Sequence, residues 1–383
     1  MRPASTLILP PQGDVDLLVM AAECSGDELG AQLIEDLLKM RPGKKIYAIG
    51  GPTMAQTAPH FLFNLAEHAA MGFWEVLRNW RFFHKYYQGI VRWIKAYQPG
   101  RICFIDSPAL HLRIAHALNV QKISKKGGGT VSLYYYVAPQ IWAWKAKRRF
   151  TMEKDLDALA VLFPFERKAF ADTTLPTTFT GHPFLDAGHK SPIFYAENRN
   201  VFLLPGSRRQ NVQCIFPIML EAFSKMQKTG DWAAACLYPT EAIRQLLADE
   251  LQKFPNVAKK IRLISAAEAR KNPIGGQLVA VSSGTMSFQC ALDGIPGVVI
   301  YKTSPITHWV GRRLIKIPFL ALANIILGYE CYKEYIQDQA KPDVIASQLL
   351  LLAGARTEFK AVSDELRQCL QAKECDVGKW LFM

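Results

Sequence analysis

Residues 201–212 read VFLLPGSRRQNV, and this stretch introduces a pattern that recurs along the chain. An apolar run ends at Pro205–Gly206 and is followed at once by Ser207, Arg208 and Arg209. A buried β-strand that leads through a glycine turn into a helix-like segment is typical of a βαβ unit. The turn requires the glycine, but it does not require the arginine that follows. Arg208 is therefore a candidate functional residue.

Short apolar runs followed by segments of helical period appear in two series, which begin near residues 16 and 201. They are DLLVMAA, KIYAIGG, RICFID, TVSLYYYV, DALAVLF, VFLLPG, AAACLY, IRLIS, QLVAVSSG and GVVIYK. This alternation indicates parallel sheets. We therefore predict an α/β fold with two Rossmann-like doubly wound domains, at 15–190 and 200–335. We further predict a linker near 185–200 and a helical tail at 336–383. In such sheets, ligands bind beyond the carboxyl ends of the strands.

Composition limits the class of protein without fixing its function. The 383 residues include 46 Lys and Arg against 33 Asp and Glu, a net charge of +13, which favours anionic partners: nucleic acid, phosphates, nucleotides or an acidic membrane. The eight cysteines form no C-x-x-C pair, so we expect a reducing compartment and no metal cluster. No apolar stretch approaches the ~20 residues of a spanning helix. The apolar run near the N-terminus is too short for a signal peptide. We expect a soluble or peripheral protein.

Three strand-to-helix junctions combine glycine with hydroxyl side chains. They read AECSGD at 22–27, LPGSR at 204–208 and VSSGT at 281–285. Free N–H groups at a helix N-terminus can hold an oxyanion. The alternative is simple N-capping by Ser, Thr or Asp, which needs no ligand. None of the three is a P-loop or a G-x-G-x-x-G motif, so a dinucleotide is not the first expectation.

Two further segments carry chemistry-bearing residues. CFIDSPAL at 103–110 places Asp106 at a strand end, where it could act as a general base or simply make a local turn bond. YYYVAPQIWAWKAKRR at 134–149 is dense in aromatic and cationic residues. It could be the edge of an aromatic core, a wall for a sugar, base or acyl chain, or a surface that stacks RNA bases.

The segment 72–97, GFWEVLRNWRFFHKYYQGIVRWIKAY, predicts a helix with one apolar face. Basic residues fall opposite that face, and aromatic residues lie beside them. This arrangement fits a membrane-surface helix, or alternatively a helix packed on two sides with a solvated basic stripe. The candidate membrane or acyl contacts are Trp74, Arg78, Arg81, Phe82, Lys85 and Trp93.

Several of these segments together resemble one known family, the lipid-A-disaccharide synthases. The resemblance covers nearly the whole chain, and its motifs occur in the family's order. They are AECSGDELGAQLI, GGPTM, AAMGFWEVL, YYVAPQIWAWKAKR, LFPFE, TGHPFLD, LLPGSR, SSGT and the segment 304–330, which ends in ANIILGYE.

The resemblance implies an inverting, UDP-dependent glycosyltransferase of the GT-B architecture that acts in lipid A (lipopolysaccharide) biosynthesis. The donor would be UDP-2,3-diacylglucosamine and the acceptor 2,3-diacylglucosamine 1-phosphate (lipid X). The products would be the β-1,6-linked disaccharide 1-phosphate and UDP. The resemblance implies a cytoplasmic homodimer with exchanged C-terminal segments, peripheral on the anionic inner membrane of a Gram-negative-type bacterium. No cofactor, metal or nucleic acid is expected.

The resemblance also assigns roles to particular positions. Asp106 would be the base for the acceptor 6-hydroxyl group, and Arg208 would correspond to the family arginine implicated in activity. The expected UDP-sugar contacts are Ser25, Gly26, Gly206, Ser207, Arg208, Ser283, Gly284, Thr285, Gln289, Asn324 and Glu330.

This chain departs from the family pattern at a few positions. Where the family reads D-x-P-D-F-N, the chain has Ala109 and His111 in place of the second Asp and the Asn. Gln289 replaces a glutamate expected to hold the ribose hydroxyls, and Tyr329 replaces an arginine. Because Asp106, Arg208 and Asn324 are retained, we expect activity. The alternatives are a diverged homologue with another acceptor or weak activity, and a nucleic-acid-binding protein.

Overall fold

The chain folds into two units that are built on the same kind of sheet. The structure, a computed structural model, describes residues 14–65, 80–186, 188–303, 317–371 and 374–383, with residues 80–85 described by their backbone alone. The first unit holds the described residues up to Pro183 together with 374–383, and the second spans Phe184–Gln371. The predicted domains were 15–190 and 200–335.

The first unit contains a seven-stranded sheet of the Rossmann type. Its strands are β1 Leu17–Ala21, β2 Ile46–Gly50, β3 His60–Asn64, β4 Arg101–Ile105, β5 Ser132–Tyr136, β6 Ala158–Val161 and β7 Thr177–Phe179. They lie in the order β3-β2-β1-β4-β5-β6-β7, and every pairing is parallel. The strand order reverses between β1 and β4, which is where doubly wound sheets bind their ligands.

The second unit repeats this arrangement with six strands. They are β9 Asn200–Leu204, β10 Ala233–Tyr238, β11 Ile261–Ser265, β13 Leu278–Ser282, β14 Gly297–Tyr301 and β15 Lys333–Ile336. Their order is β11-β10-β9-β13-β14-β15, again with parallel pairing throughout, and it reverses between β9 and β13. A separate parallel pair joins β8 Ile193–Tyr195 to β12 Ile274–Gly276.

The α-helices of the described residues connect the strands and cover the sheets. In the first unit they are α1 Cys24–Met40, α2 Pro52–Thr57, α3 Trp80–Tyr97, α4 Pro108–Val120, α5 Arg148–Asp155 and, near the chain end, α14 Val377–Trp380. In the second they are α6 Arg209–Met226, α7 Glu241–Gln252, α8 Pro255–Ala258, α9 Ala266–Lys271, α10 Thr285–Leu292, α11 Leu322–Leu327, α12 Pro342–Leu352 and α13 Arg356–Gln371. Short 3₁₀ turns occur at Lys125–Gly127, Pro164–Phe170, Pro183–Leu185 and Gln337–Gln339.

Continuous apolar runs form the central strands because those strands are covered on both faces. All five residues of β1 are buried, and so are all five of β9 and of β13. Removing that much apolar surface from water is the main stabilising contribution to each unit. Nine of the ten apolar runs quoted above correspond to inner strands, and the tenth, IRLIS, is the edge strand β11, which is only partly buried, as is β3.

The predicted linker contains more structure than its composition indicated, whereas the tail is helical as predicted. The stretch 185–200 includes β8, which pairs with β12 in the second unit. Of the predicted tail, α12 packs on α6, and α13 packs on α10 and α11, all within the second unit. Only the last residues join the first unit, where Trp380 packs edge-on against Tyr134 with ring centroids 5.3 Å apart. The homodimer with exchanged segments stays a prediction.

A buried aspartate joins the first two strand-to-helix junctions of the first unit. Asp27, in the first turn of α1, is only 2% exposed. Its Oδ1 accepts hydrogen bonds from the Gly51 N–H at 2.6 Å and the Met54 N–H at 3.0 Å. Its Oδ2 accepts one from the Thr53 N–H at 2.9 Å. The carboxylate thus satisfies N–H groups at the start of α2, which have no partner within that helix.

Replacing Asp27 by alanine should destabilise the protein by about 3 kcal/mol, because three main-chain N–H groups, two of them in buried hydrogen bonds, lose their charged acceptor. Urea unfolding followed by circular dichroism measures this change. Glu35→Ala, an exposed position on the same helix, is the matched control and should change stability little. Equal stability of the two variants would contradict this account of Asp27.

Candidate functional site

Two loops of the second unit meet at the point where its strand order reverses. Leu204 at the end of β9 lies in register with Val281 on β13, so the segments that follow emerge side by side. After β9 come Gly206, Ser207 and Arg208, and after β13 comes Ser283–Thr285. The structure thus brings together the predicted contacts of the LPGSR and SSGT motifs at one sheet edge.

Gly206 allows these two loops to approach each other closely. Its φ is +105°, in the region that side chains rarely adopt, and a Cβ there would lie 2.8 Å from the Ser282 Oγ. Both facts require glycine at this position. Gly284, with φ +150°, has a similar backbone conformation where the second loop enters α10.

Both helices that start at this edge begin without a side-chain cap from the described residues. Arg208 is the N-cap of α6 and Gly284 is the N-cap of α10, and neither supplies a side-chain cap to the N–H groups that follow it. The Ser287 Oγ accepts only the Gly284 N–H, at 3.4 Å. Simple N-capping by serine is therefore not the role of Ser207. Uncapped N–H groups and the positive end of the helix dipole favour an anion at both termini.

Arg208 is an exposed cation with no ion pair among the described residues. By contrast, Arg149 in the first unit is held by the Asp172 carboxylate through Nε at 2.6 Å and Nη2 at 2.5 Å. Ser207, Gly284 and Thr285 are exposed too. This edge of the second sheet therefore offers hydroxyl groups, main-chain N–H groups and one guanidinium to a bound anion.

Gln289 is buried, unlike the exposed residues at the start of α6 and α10. It is 2% exposed, and its Oε1 lies 2.8 Å from the His189 Nε2 while its Nε2 donates to the Asp293 Oδ2 at 3.0 Å. Asp293 also accepts a hydrogen bond from the Ser191 Oγ at 2.6 Å, and burial raises the pKa of its carboxyl. The expected contact of Gln289 with UDP stays a prediction. The amide joins α10 to the segment around 189–191.

Asn324 is likewise inside the protein. It is fully buried, and its Oδ1 accepts hydrogen bonds from the Cys331 and Tyr332 N–H groups at 3.0 and 2.9 Å. Its Nδ2 donates to the Tyr332 carbonyl and the Glu334 Oε1, both at 2.8 Å. All hydrogen-bonding groups of this amide are used in fastening α11 to β15 and the residues just before it, and the expected contact with the donor stays a prediction. Glu330 is exposed, and its Oε1 accepts the Glu334 N–H at 3.2 Å.

The corresponding edge of the first unit presents carboxylates instead of an arginine. Ala21 on β1 pairs with Ile105 on β4, and these strands are followed by Glu23 and by Asp106. Burial raises the pKa of Asp106 to about 6, and the negative charge of Glu23 adds to that rise. An aspartate with this pKa is a stronger base than an ordinary one and is still largely ionised at neutral pH.

Ser25 and Gly26 lie at this same edge, at the start of α1. Ser25 is exposed, whereas Gly26 is buried, and a Cβ on it would lie 3.3 Å from the Ala21 Cβ. Gly26 thus lets α1 start close against the sheet, and only Ser25 of the pair is open to a ligand. The N-cap of α1 is Glu23, which makes no side-chain capping bond within the described residues.

Sequence reasoning missed two residues that touch the main chain of Asp106. The Tyr135 hydroxyl donates to the Asp106 carbonyl at 2.6 Å, and the His111 Nδ1 lies 2.8 Å from the same oxygen. The available signal was His111 itself, since it stands where the family motif has asparagine. Glu23 was also missed, although it lies in the quoted AECSGD motif.

The aromatic segment 134–149 is divided between core and surface. Tyr135 is fully buried, and Trp142 packs edge-on against Phe165 with centroids 5.3 Å apart. Trp144 and Phe150 are 41% and 40% exposed. Lys145 lies over the Trp144 ring at 4.3 Å, and Arg149 lies over the Phe150 ring at 4.4 Å. The surface part of the segment is therefore aromatic and cationic together.

The prediction of a membrane-facing side chain at Trp93 is wrong. Trp93 is 5% exposed and packs against Tyr47 and Tyr97, with centroids 6.0 and 5.0 Å away. Trp74 and Arg78 lie outside the described residues, and so do the side chains of Arg81, Phe82 and Lys85.

The described residues show neither a metal-binding cluster nor a membrane-spanning helix. Among the described residues, no group of three or more His, Cys, Asp or Glu side chains could hold a metal ion, and independence from metal stays a prediction. Within the same residues, no helix combines the length and the apolar character that crossing a bilayer requires. All eight cysteines are free.

Comparison with known proteins identifies the family. The sequence model of the lipid-A-disaccharide synthetase family matches residues 17–381. A lipid-A-disaccharide synthase of Coxiella burnetii is 31% identical over 365 residues, which cover 91% of this chain and 92% of the relative. One of Geobacter metallireducens is 30% identical over 348 residues, 87% of this chain and 86% of the relative.

Solved structures show the same fold at low sequence identity. A putative UDP-N-acetylglucosamine 2-epimerase from Listeria monocytogenes has a TM-score of 0.61 at 13% identity, with 91% of each chain covered. A spinosyn rhamnosyltransferase complexed with thymidine diphosphate has a TM-score of 0.55 at 14% identity, covering 97% of this chain and 99% of that one. The predicted GT-B architecture of two Rossmann-like domains is confirmed. The chain therefore belongs to the lipid-A-disaccharide synthase family and is a glycosyltransferase of bacterial lipid A biosynthesis.

Proposed function

We propose that the enzyme condenses UDP-2,3-diacylglucosamine with 2,3-diacylglucosamine 1-phosphate to give the β-1,6-linked disaccharide 1-phosphate and UDP. One observation above all supports this proposal. Two uncapped helix N-termini and the exposed Arg208 lie at adjacent strand ends of the second unit. These groups suit a nucleoside diphosphate.

The reaction would proceed by a single displacement with inversion. The 6-hydroxyl oxygen of the acceptor forms a bond to C1 of the donor sugar as the bond from C1 to the diphosphate oxygen breaks. UDP departs with the bonding electrons, and the hydroxyl proton passes to a base. An α-linked donor gives a β-linked product.

The second unit would stabilise the departing UDP. Negative charge grows on the diphosphate as the C1–O bond breaks, and preoriented donors that act on growing charge lower the barrier. The hydroxyl groups of Ser207, Ser283 and Thr285, the N–H groups at both helix starts and the Arg208 guanidinium would supply those donors. The absence of an ion pair for Arg208 among the described residues supports this role, because its charge is not already neutralised.

The first unit would supply the base. Asp106 is retained from the family motif, and its pKa of about 6 matches proton transfer near neutral pH. The nearby charge of Glu23 makes proton acceptance by Asp106 more favourable. The mechanism needs only one proton acceptor, so Glu23 would act on Asp106 through its charge and would not itself take the proton.

Replacing Arg208 by alanine should lower kcat for UDP release by about 100- to 1,000-fold, because a guanidinium that acts on developing charge is lost. A coupled assay for UDP with both acylated substrates measures this rate. Arg209→Ala is the matched control, since Arg209 is the exposed neighbour in α6, and it should stay near the wild-type rate. No UDP release from the wild-type protein, while a relative is active in parallel, would contradict the proposed reaction.

The kcat of the wild-type enzyme should fall as the pH drops through about 6, because Asp106 becomes protonated there and cannot accept a proton. Asp106→Asn should lower kcat by about 100- to 10,000-fold and remove this dependence. A pH–rate profile from pH 5 to 8 measures both. If the Asn variant kept the wild-type rate, or kept the same acid limb, Asp106 would not be the base.

We further propose that the protein rests on an anionic membrane surface, where its acylated substrates would be found. The exposed rings of Trp144 and Phe150, each with a cation over its face, support the proposal. Aromatic and cationic side chains together suit the headgroup region of a bilayer. The residues predicted from the 72–97 helix, with the exception of Trp93, stay candidates for the same surface.

The wild-type protein should sediment with vesicles that contain anionic lipid, and less at high salt, because screening weakens the cationic contribution. Replacing both Trp144 and Phe150 by serine should reduce the bound fraction several-fold, because two aromatic rings that would enter the membrane interface are lost. Val120→Ser is the control, since Val120 is exposed at the far end of α4. Equal binding of both variants would exclude Trp144 and Phe150 from the contact.

A further inference from the structure

The backbone at Asp106 has an unusual conformation that determines where its carboxyl group lies. Asp106 has φ +51° and Ser107 has φ +49°, so two consecutive residues with side chains lie in the left-handed region. Such a conformation persists only when surrounding contacts hold it, and it is frequent at functional sites. The contacts that hold this turn therefore affect the placement of the carboxyl.

The main chain of Asp106 is held by three hydrogen bonds from three residues. Its N–H donates to the Tyr136 carbonyl at 3.0 Å, which continues the pairing of β4 with β5. Its carbonyl oxygen accepts from the Tyr135 hydroxyl at 2.6 Å and from the His111 Nδ1 at 2.8 Å. One donor belongs to β5 and the other to α4, so this carbonyl is held from two elements.

His111 is not required by packing alone. The ring is fully buried beside Phe104, with centroids 5.3 Å apart, and burial lowers the pKa of His111 to about 4. The neutral ring must carry its proton on Nδ1, because a carbonyl oxygen can only accept. The Nε2 then has no hydrogen-bond partner among the described residues. A buried nitrogen without a partner lowers the stability of the fold, and an apolar side chain at this position would avoid that loss. The hydrogen bond from Nδ1 to the Asp106 carbonyl is the feature that an apolar side chain could not supply.

We propose that His111 and Tyr135 are positioning residues, which hold the left-handed turn at Asp106 through its carbonyl and so fix the carboxyl for proton transfer. The inference rests on the proposed function of Asp106 as the base. It also explains the departure from the family motif. An asparagine N–H can donate to the same carbonyl, so histidine and asparagine are equivalent in this respect.

The charged and titratable groups around the turn come from four elements. Glu23 from the loop after β1 acts on Asp106 directly. Glu23 and Arg148, at the start of α5, both act on the buried hydroxyl of Tyr135 on β5, and His111 faces the turn from α4. Since His111 is neutral above about pH 4, the acid limb of activity near pH 6 would report Asp106.

The test compares purified full-length variants in the UDP-release assay. His111→Leu should lower kcat about 100-fold with little change in KM, the effect of displacing a reacting group by about 1 Å. The pH at which kcat of this variant falls should be lower than for wild type. A carboxyl group that is no longer held in place becomes better hydrated, and its pKa drops. His111→Asn should keep kcat within about threefold of wild type and should keep the pH dependence of kcat, because asparagine restores the N–H donor. Tyr135→Phe should resemble His111→Leu.

Two controls keep the outcomes distinct. Tyr134→Phe alters the neighbouring tyrosine, which packs against Trp380, and should behave as wild type. A crystal structure of each His111 variant should show a positive φ at Asp106 with asparagine and its loss with leucine, whatever the activity. His111→Leu could keep the wild-type kcat, the wild-type pH dependence and the positive φ at Asp106 while Asp106→Asn is inactive. That result would exclude the positioning role and leave Asp106 as the base. If wild type and Asp106→Asn share one rate, the proposed role of Asp106 as the base fails instead, and the positioning role fails with it.

Discussion

Parallel pairing of the two strands at each reversal of strand order is the constraint on which the functional residues depend. In the first sheet this pair is β1 and β4, and in the second it is β9 and β13. Parallel strands end at the same edge, so the loops that follow must emerge together. Where the second pair meets, the close approach of Gly206 to Ser282 leaves no room for a side chain. The glycine of LPGSR thus serves the sheet, and the residues after it remain open to a ligand.

The two reversal points have opposite electrostatic character. In the first unit, Glu23 and burial together raise the pKa of Asp106, which strengthens it as a base. In the second, Arg208 and two uncapped helix starts provide positive potential for an anion. A glycosyl transfer from a nucleotide sugar needs both kinds of environment, one for the acceptor proton and one for the departing diphosphate. The proposed reaction assigns the proton acceptor to the first unit and the diphosphate site to the second.

The sequence predicted the inner strands well because those strands are buried on both faces and read as continuous apolar runs. It missed the edge strands β3, β7 and β15 and the separate pair of β8 with β12, all of which are short and partly exposed. Site residues in the turns, such as Arg208 and Asp106, could be chosen from glycine and strand-end patterns. The internal hydrogen bonds of Asn324 and Gln289 could not be predicted, because a motif position does not tell which partner an amide will meet. Their partners lie 8 and 100 positions away along the chain.

A crystal structure of the protein with UDP tests the central claim most directly, namely that the reversal point of the second sheet holds the diphosphate. The account predicts diphosphate oxygens within hydrogen-bonding distance of Arg208, Ser207 and the N–H groups of Ser283–Thr285. It also predicts that the internal hydrogen bonds of Asn324 and Gln289 remain as they are without the nucleotide. A diphosphate bound elsewhere, or held by the Asn324 and Gln289 amides with Arg208 turned to solvent, would contradict the account.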